Sequence, residues 1–314
     1  MNSMRIVFMG TPIFAVNALK AIHESKHTIV GVVTSADKPA GRGKKIRQSA
    51  VKDYAIGENL NLLQPENLKD KVFIDALKNL KADVFIVVAF RMLPKAVWNI
   101  PAKGTFNLHA SLLPNYRGAA PINWAIINNE TTTGVTTFFI DDKIDTGAVL
   151  LKETIAIKPK ETVGTLHDKL ASIGASLILK TLEYITTNPT PIPQQQSGNE
   201  KEAPKLTKEN TKIDWKKPLI HIDGLIRGLN PYPGAWTEIQ NGPELLNVKI
   251  FKASYQSIEH DLKEGSVFDE DKKIKISHSE GILLVEEIQL PNKKRMDSQA
   301  LLNGFSFKTA AKVL

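Results

Sequence analysis

Asn107 and His109 stand two residues apart in the run Thr105-Phe106-Asn107-Leu108-His109-Ala110-Ser111-Leu112-Leu113-Pro114, and Asp145 follows in Ile144-Asp145-Thr146-Gly147. On a strand, residues i and i+2 point to the same face. The spacing therefore sets the Asn107 amide beside the His109 imidazole and turns Phe106 and Leu108 the other way. An amide donor next to an imidazole suits a carbonyl oxygen that gains negative charge during reaction. A carboxylate is the usual group that orients such an imidazole. Three residues of these types together suggest acyl-type transfer.

Other chemistries find less support. There is no cysteine, which excludes disulfides, thiolate nucleophiles and thiolate metal sites. No second histidine or paired carboxylate stands at ligand spacing from His109, so no metal site is expected. His23, His27, His167, His221, His260 and His278 are scattered and read as surface residues. Gly10-Thr11-Pro12 follows a strand and precedes a helix, but it is neither G-x-G-x-x-G nor a Walker loop. A simple turn is a better reading of it than a phosphate cradle, with a hydrogen-bonding role toward substrate left open. Asp141, Asp142 and Asp145 lie just before Thr146-Gly147, where aspartates commonly serve turns, and spacing alone does not choose among them.

The elements that would position these residues are legible as periodicity. Arg5–Met9, Ile29–Val33, Asp83–Ala89 and Gly104–His109 read as buried strands. Ile13–Glu24, Val51–Asn59, Lys69–Leu80 and Ala119–Asn128 read as helices, the first entered through Pro12 in its first turn. Strands alternating with helices of this length predict an α/β fold with a doubly wound, mostly parallel sheet. Such sheets bind ligands at the carboxyl ends of their strands, where Asn107, His109 and the Phe90–Leu93 segment fall. Thr133–Ile140 and Ala148–Ile157 read as a further pair of strands, and Thr162–Thr186 as a long helix.

The composition then changes. The stretch from Asn188 is rich in proline and glutamine and reads as a linker. Beyond it a partly helical segment, Trp215–Leu229, leads into short β-like runs with turn signals, which predict a smaller, open β-barrel domain. The expected division is a catalytic domain over 1–187, a linker over 188–206 and a C-terminal domain over 207–314.

The chain has 314 residues and a formal net charge of +8, and 42% of its residues are hydrophobic. These values fit a two-domain globular protein with a full core. No apolar run reaches the roughly 18 residues of a membrane span, and the N-terminus lacks a signal-peptide pattern. A cytoplasmic enzyme is the expectation. Positive charge favours an anionic partner, often nucleic acid. It concentrates in Lys38-Pro39-Ala40-Gly41-Arg42-Gly43-Lys44-Lys45-Ile46-Arg47, a glycine-punctuated loop after the second strand. That loop reads either as a solvated loop or as a phosphate-contacting finger that orders on binding.

Asn107–Pro114, Tyr116-Arg117-Gly118-Ala119-Ala120-Pro121-Ile122 and Asp145-Thr146-Gly147 together resemble the folate-dependent formyltransferases. Gly10-Thr11-Pro12, the Lys38–Lys45 run, Leu93–Val97 and Asn230-Pro231-Tyr232-Pro233-Gly234-Ala235-Trp236 narrow the resemblance to members that act on initiator methionyl-tRNA. It covers nearly the whole chain. Ala89-Phe90-Arg91-Met92-Leu93-Pro94 departs from the family's Ala-Tyr-Gly-x-Ile/Leu-Leu-Pro form and is one residue shorter. The resemblance implies catalytic roles for Asn107, His109 and Asp145. It implies 10-formyltetrahydrofolate as co-substrate, bound by Phe90, Arg91, Leu93, Ser111, Leu112, Leu113, Pro114 and Asp141, and no metal. It further implies tRNA contacts from Lys38, Arg42, Lys44, Lys45 and Arg47, a second domain of oligonucleotide-binding type, and a monomer that does not engage membranes. Two alternatives remain open at this point. One is a formyltransferase for an amino sugar nucleotide or glycinamide ribonucleotide. The other is a non-catalytic RNA-binding protein, against which the intact Asn107, His109 and Asp145 argue.

Overall fold

The computed structural model describes residues 3–40, 45–187, 190–195 and 198–314, with backbone alone at 38–40 and 45–47. The chain divides into two compact units. The first comprises Met1–Gly118, Thr132–Ile155 and His167–Glu202, and the second Ala119–Thr131, Ala156–Leu166 and Ala203–Leu314.

The first unit opens with β1 (Arg5–Gly10), α1 (Ile13–His23), β2 (Thr28–Val33), β3 (Lys38–Ala40), β4 (Lys45–Arg47), α2 (Ala50–Gly57), β5 (Leu62–Leu63) and α3 (Lys71–Asn79). It continues through β6 (Val84–Val88), α4 (Lys95–Trp98), β7 (Thr105–His109) and β8 (Arg117–Gly118). Helix α5 (Pro121–Ile127) belongs to the second unit; β9 (Thr132–Phe139) and β10 (Val149–Ala156) follow it, then α6 (Val163–Ile185) and the short β11 (Glu202–Ala203). The main sheet has the order β10-β9-β7-β6-β1-β2-β5. Strands β5, β2, β1, β6 and β7 run parallel, and β9 is antiparallel to β7.

Burial explains the parallel core. Ile6–Met9 of β1 and all of β6 are buried, as expected for strands with both faces covered. From β1 the chain first winds outward to β2 and β5, then returns to place β6 on the other side of β1. This reversal puts a switch point beside β1 and β6, where such sheets leave a ligand crevice. Gly10 ends β1 because a Cβ there would lie 2.7 Å from the Ala15 Cβ and 3.0 Å from the Val88 carbonyl oxygen. Pro12 is the N-cap of α1 and stands one position before the first turn. On β7, Leu108 packs under α6, where Gly174 leaves room for it: a Cβ there would meet Leu108 Cδ2 at 2.7 Å. The apolar side of β7 is thus buried beneath a helix, and Asn107 and His109 belong to the other side.

The second unit adds α7 (Leu219–Gly228), β12 (Ala235–Asn241), β13 (Glu244–Gln256), β14 (Val267–Glu270), β15 (Lys273–His278), β16 (Gly281–Gln289), β17 (Met296–Asp297), α8 (Ser298–Leu302) and β18 (Lys312–Val313). Its antiparallel sheet has the order β14-β15-β16-β13-β12-β18, with β17 on β16. The two ends of that order meet. Val267 N donates to Ala311 O (2.8 Å) and Val313 N to Gly265 O (2.9 Å), so the sheet nearly closes into a barrel around Ile239, Val248, Ile250, Ile274, Ile276 and Leu283. Helices α5 and α7 pack closely, with Asn123 Nδ2 donating to Gly228 O at 2.8 Å.

Two histidines depart from the surface reading. His278 is buried, and His27 is buried where its Nδ1 accepts from Met4 N at 3.2 Å. An imidazole can satisfy a buried main-chain group as easily as it can face water, and an isolated histidine carries no sequence sign of which it does. Among the described residues, no helix is long and apolar enough to cross a membrane.

Candidate active site

Strand β7 pairs on one side with β6, Val87 opposite Asn107, and on the other with β9, Thr136 opposite His109. This register fixes Asn107 and His109 near the carboxyl end of the sheet's interior. Asn107 is half-buried, and its Oδ1 is a buried acceptor without a partner among the described residues. A buried polar atom left open is costly unless something else supplies a partner, so Oδ1 suits a donor brought by a substrate.

His109 is buried between two acceptors. Its Nε2 donates to the Tyr116 carbonyl at 2.8 Å, and its Nδ1 lies 3.7 Å from Asp145 Oδ2. Both ring nitrogens face oxygens.

Asp145 comes from the loop between β9 and β10 and holds a left-handed backbone, φ 54°. Aspartate tolerates this region better than most residues, but it still needs local support. The support is dense. Gly118 N donates to Asp145 Oδ2 at 3.0 Å, and Arg117 Nε donates to the Asp145 carbonyl at 3.0 Å. Gln194 Nε2 donates to the same carbonyl at 3.0 Å and to Gly147 O at 2.8 Å. Gly147 is required for the return of the loop, since a Cβ there would fall 1.7 Å from the Phe139 carbonyl oxygen.

The residues read as folate contacts follow β6 and β7 or lie in the Asp145 loop, and several are engaged within the protein. Arg91 donates to the Pro65 and Glu66 carbonyls (2.7 and 2.9 Å) and sits over the Phe90 ring at 5.4 Å. Leu93 is buried in the apolar cluster with Val87 and Val97. Ser111 Oγ donates to Asn115 O at 2.6 Å, and Thr136 Oγ1 donates to Ser111 O at 2.7 Å while accepting from Leu113 N at 3.2 Å. These bonds shape the Ser111–Pro114 turn, with Leu112 half-buried, Leu113 buried and a cis Leu113–Pro114 bond. Lys152 Nζ donates to the Leu113 carbonyl, and burial lowers the pKa of this amine. Asp141 accepts from Thr146 Oγ1 and from Lys143 N, which is turn chemistry.

Among the residues read as tRNA contacts, Lys38 lies on β3 and Lys45 and Arg47 on β4, and these strands form an antiparallel ribbon with Lys38 opposite Arg47. Arg42 and Lys44 lie outside the described residues. The base of the ribbon is anchored at Asp37, whose carboxylate accepts from Lys52 Nζ at 2.5 Å and Gln64 Nε2 at 3.0 Å. These two bonds, the lysine first, lower the Asp37 pKa.

Sequence reasoning assigned no role to the Tyr116 carbonyl, Arg117 or Gln194. Tyr116 acts through its main chain, so its side-chain type says nothing. Gln194 stood in a stretch whose composition signals only a linker.

The chain matches the family model described as "Formyl transferase" over residues 4–182 and "Formyl transferase, C-terminal domain" over residues 205–306. A methionyl-tRNA formyltransferase of Flavobacterium johnsoniae is 54% identical, with 100% of both chains covered. The protein of that name from Bacteroides thetaiotaomicron is 49% identical, with 99% of each covered. Solved structures share the fold at lower identity. HypX from Aquifex aeolicus in complex with tetrahydrofolic acid gives a TM-score of 0.65 at 20% identity over 96% of this chain, which spans 47% of HypX. An N-formyltransferase from Helicobacter canadensis gives 0.64 at 22% identity, covering 90% of this chain and 98% of that one. Matched along its length at these identities, the chain belongs to the methionyl-tRNA formyltransferase family.

Proposed function

We propose that this protein transfers the formyl group of 10-formyltetrahydrofolate to the α-amino group of methionine on initiator methionyl-tRNA. The observation that carries this reading is the pairing of His109 with Asp145 beside Asn107, in a chain so similar to enzymes of that name along its full length. The folate, when bound, supplies the formyl group as acyl donor.

The protein's own part is polar and positional. The unpartnered Asn107 Oδ1 accepts an N–H of the incoming amine, and its Nδ2 donates to the oxygen that gains charge. The His109 Nε2–H turns its hydrogen bond from the Tyr116 carbonyl to that same oxygen, while Asp145 stays beside Nδ1. Asp145 also takes part in moving the proton that the amine loses as its nitrogen bonds to the formyl carbon; the old bond from that carbon to the folate nitrogen breaks, and the released nitrogen takes up the proton. Phe90, Leu93 and the Ser111–Pro114 turn line the folate side. Arg91, Ser111 and Asp141 act there mainly by holding backbone in shape, since their polar atoms are engaged within the protein.

The catalytic domain in this reading is 1–187, followed by a linker over 188–206 and a tRNA-binding barrel over 207–314. Lys38, Arg42, Lys44, Lys45 and Arg47 meet the acceptor end of the tRNA. The protein works as a monomer in the cytoplasm. Transfer of labelled formyl from formylfolate to charged initiator tRNA, with elongator methionyl-tRNA as control, tests the reading. Formylation of an amino sugar nucleotide in place of the tRNA would overturn it.

A further inference from the structure

We propose that Gln194 is a positioning residue for the reaction, acting through Asp145; the kinetic part of this inference rests on the function proposed above. The residue lies in a proline- and glutamine-rich stretch, yet its half-buried amide makes three bonds in one place. Its Nε2 donates to the carbonyls of Asp145 (3.0 Å) and Gly147 (2.8 Å), and its Oε1 accepts from Arg117 Nη2 at 2.6 Å. Arg117 in turn donates through Nε to the Asp145 carbonyl at 3.0 Å. Two side chains from distant parts of the chain thus clamp one carbonyl.

That carbonyl belongs to the residue whose left-handed backbone aims the carboxylate at His109 Nδ1. Rotation of the Asp145 peptide would swing Oδ2 off both the imidazole and Gly118 N. A clamp on the main chain opposes this directly, because the Gln194 amide ties the Asp145 carbonyl to the Gly147 carbonyl two residues on. Gln194 suits the task as few residues would. It must donate twice to carbonyls and accept once from a guanidinium, and a neutral amide alone offers both at one tip.

Gln194→Met keeps length and bulk but removes every bond. Gln194→Glu keeps the acceptor for Arg117 and sets a carboxylate against two carbonyls. The expected result for Gln194→Met is a fall in kcat of about tenfold to 10²-fold, the size of effect that misplacement of a catalytic group produces, with KM for tRNA and formylfolate unchanged. In an Asp145→Asn background the same substitution should add little, because residues acting as one unit are not additive. Independently of any reaction, the His109 imidazole nitrogen resonances of the unliganded protein should move in Gln194→Met, in Gln194→Glu and in Asp145→Asn, and in the same direction. An equal loss of rate in both backgrounds, or unmoved His109 resonances in whichever variant folds, overturns the proposal. A wild-type protein that failed to formylate tRNA would overturn the reading of function instead, and the resonance shifts would still decide the role of Gln194.

Discussion

His109 donates through Nε2 to the Tyr116 carbonyl at 2.8 Å while its Nδ1 lies 3.7 Å from Asp145. The ring is therefore fixed by a hydrogen bond at Nε2 and faces a carboxylate at Nδ1. His109→Ala should lower formyl transfer by about 10²–10³-fold, the usual cost of losing one donor to a developing oxyanion. Circular dichroism and a cooperative urea transition should show an intact fold. Turnover near the wild-type rate in the folded variant would remove His109 from the site.

Asn107→Ala should cost a similar factor for the same reason. It should leave stability unchanged or slightly raised, because it removes a buried acceptor that has no partner among the described residues. A clear loss of stability in chemical denaturation would mean that Asn107 serves the fold rather than the substrate.

Arg42 separates a tRNA substrate from a small one. It lies between Gly41 and Gly43 in the sequence. Arg42→Ala should strongly impair formylation of full-length charged tRNA, and Arg42→Lys should restore it only in part, since lysine lacks the planar fork of donors. Formylfolate binding should hardly change. Raising salt should weaken tRNA binding in the wild type more than in Arg42→Ala. Equal formylation rates for Arg42→Ala and wild type would count against the finger reading.

Gly147→Ala places a Cβ 1.7 Å from the Phe139 carbonyl oxygen. The main chain must move to admit it, at a cost of about 1–3 kcal/mol, typical of forced overpacking. Because Gln194 grips the Gly147 carbonyl, activity should fall as well. Urea denaturation and kcat together check both effects; a fully stable, fully active Gly147→Ala would show that the Asp145 loop is looser than its contacts imply.

Burial, and after it the Lys26 charge, hold the His27 imidazole below its ordinary pKa. The unfolded chain then binds more protons than the folded one between the lowered value and about 6.5. This contribution to stability is complete above about pH 6.5 and is lost as pH falls through the lowered value. His27→Asn keeps an acceptor for Met4 N but does not titrate. Its stability should therefore fall less between pH 7.5 and pH 5.5 than that of the wild type, by denaturant unfolding at both. Parallel losses would place the acid sensitivity elsewhere.

Periodicity and short motifs sufficed to determine much of this protein. The apolar runs around Ile6 and Val84 impose buried parallel strands, because only a sheet covered on both faces can hide them. The two-residue spacing of Asn107 and His109 places them together on any strand, a consequence of local geometry that needs no partner. Spacing alone did not choose among Asp141, Asp142 and Asp145; resemblance to known enzymes did. What only the tertiary structure decided is how Asp145 reaches His109. That depends on a left-handed backbone, a glycine with no room for a Cβ, a tyrosine used for its carbonyl, and Gln194 drawn in from an apparent linker. Main-chain bonds are blind to side-chain type, and contacts between distant segments leave no period in the sequence, so this part of the site became visible only once the chain was folded.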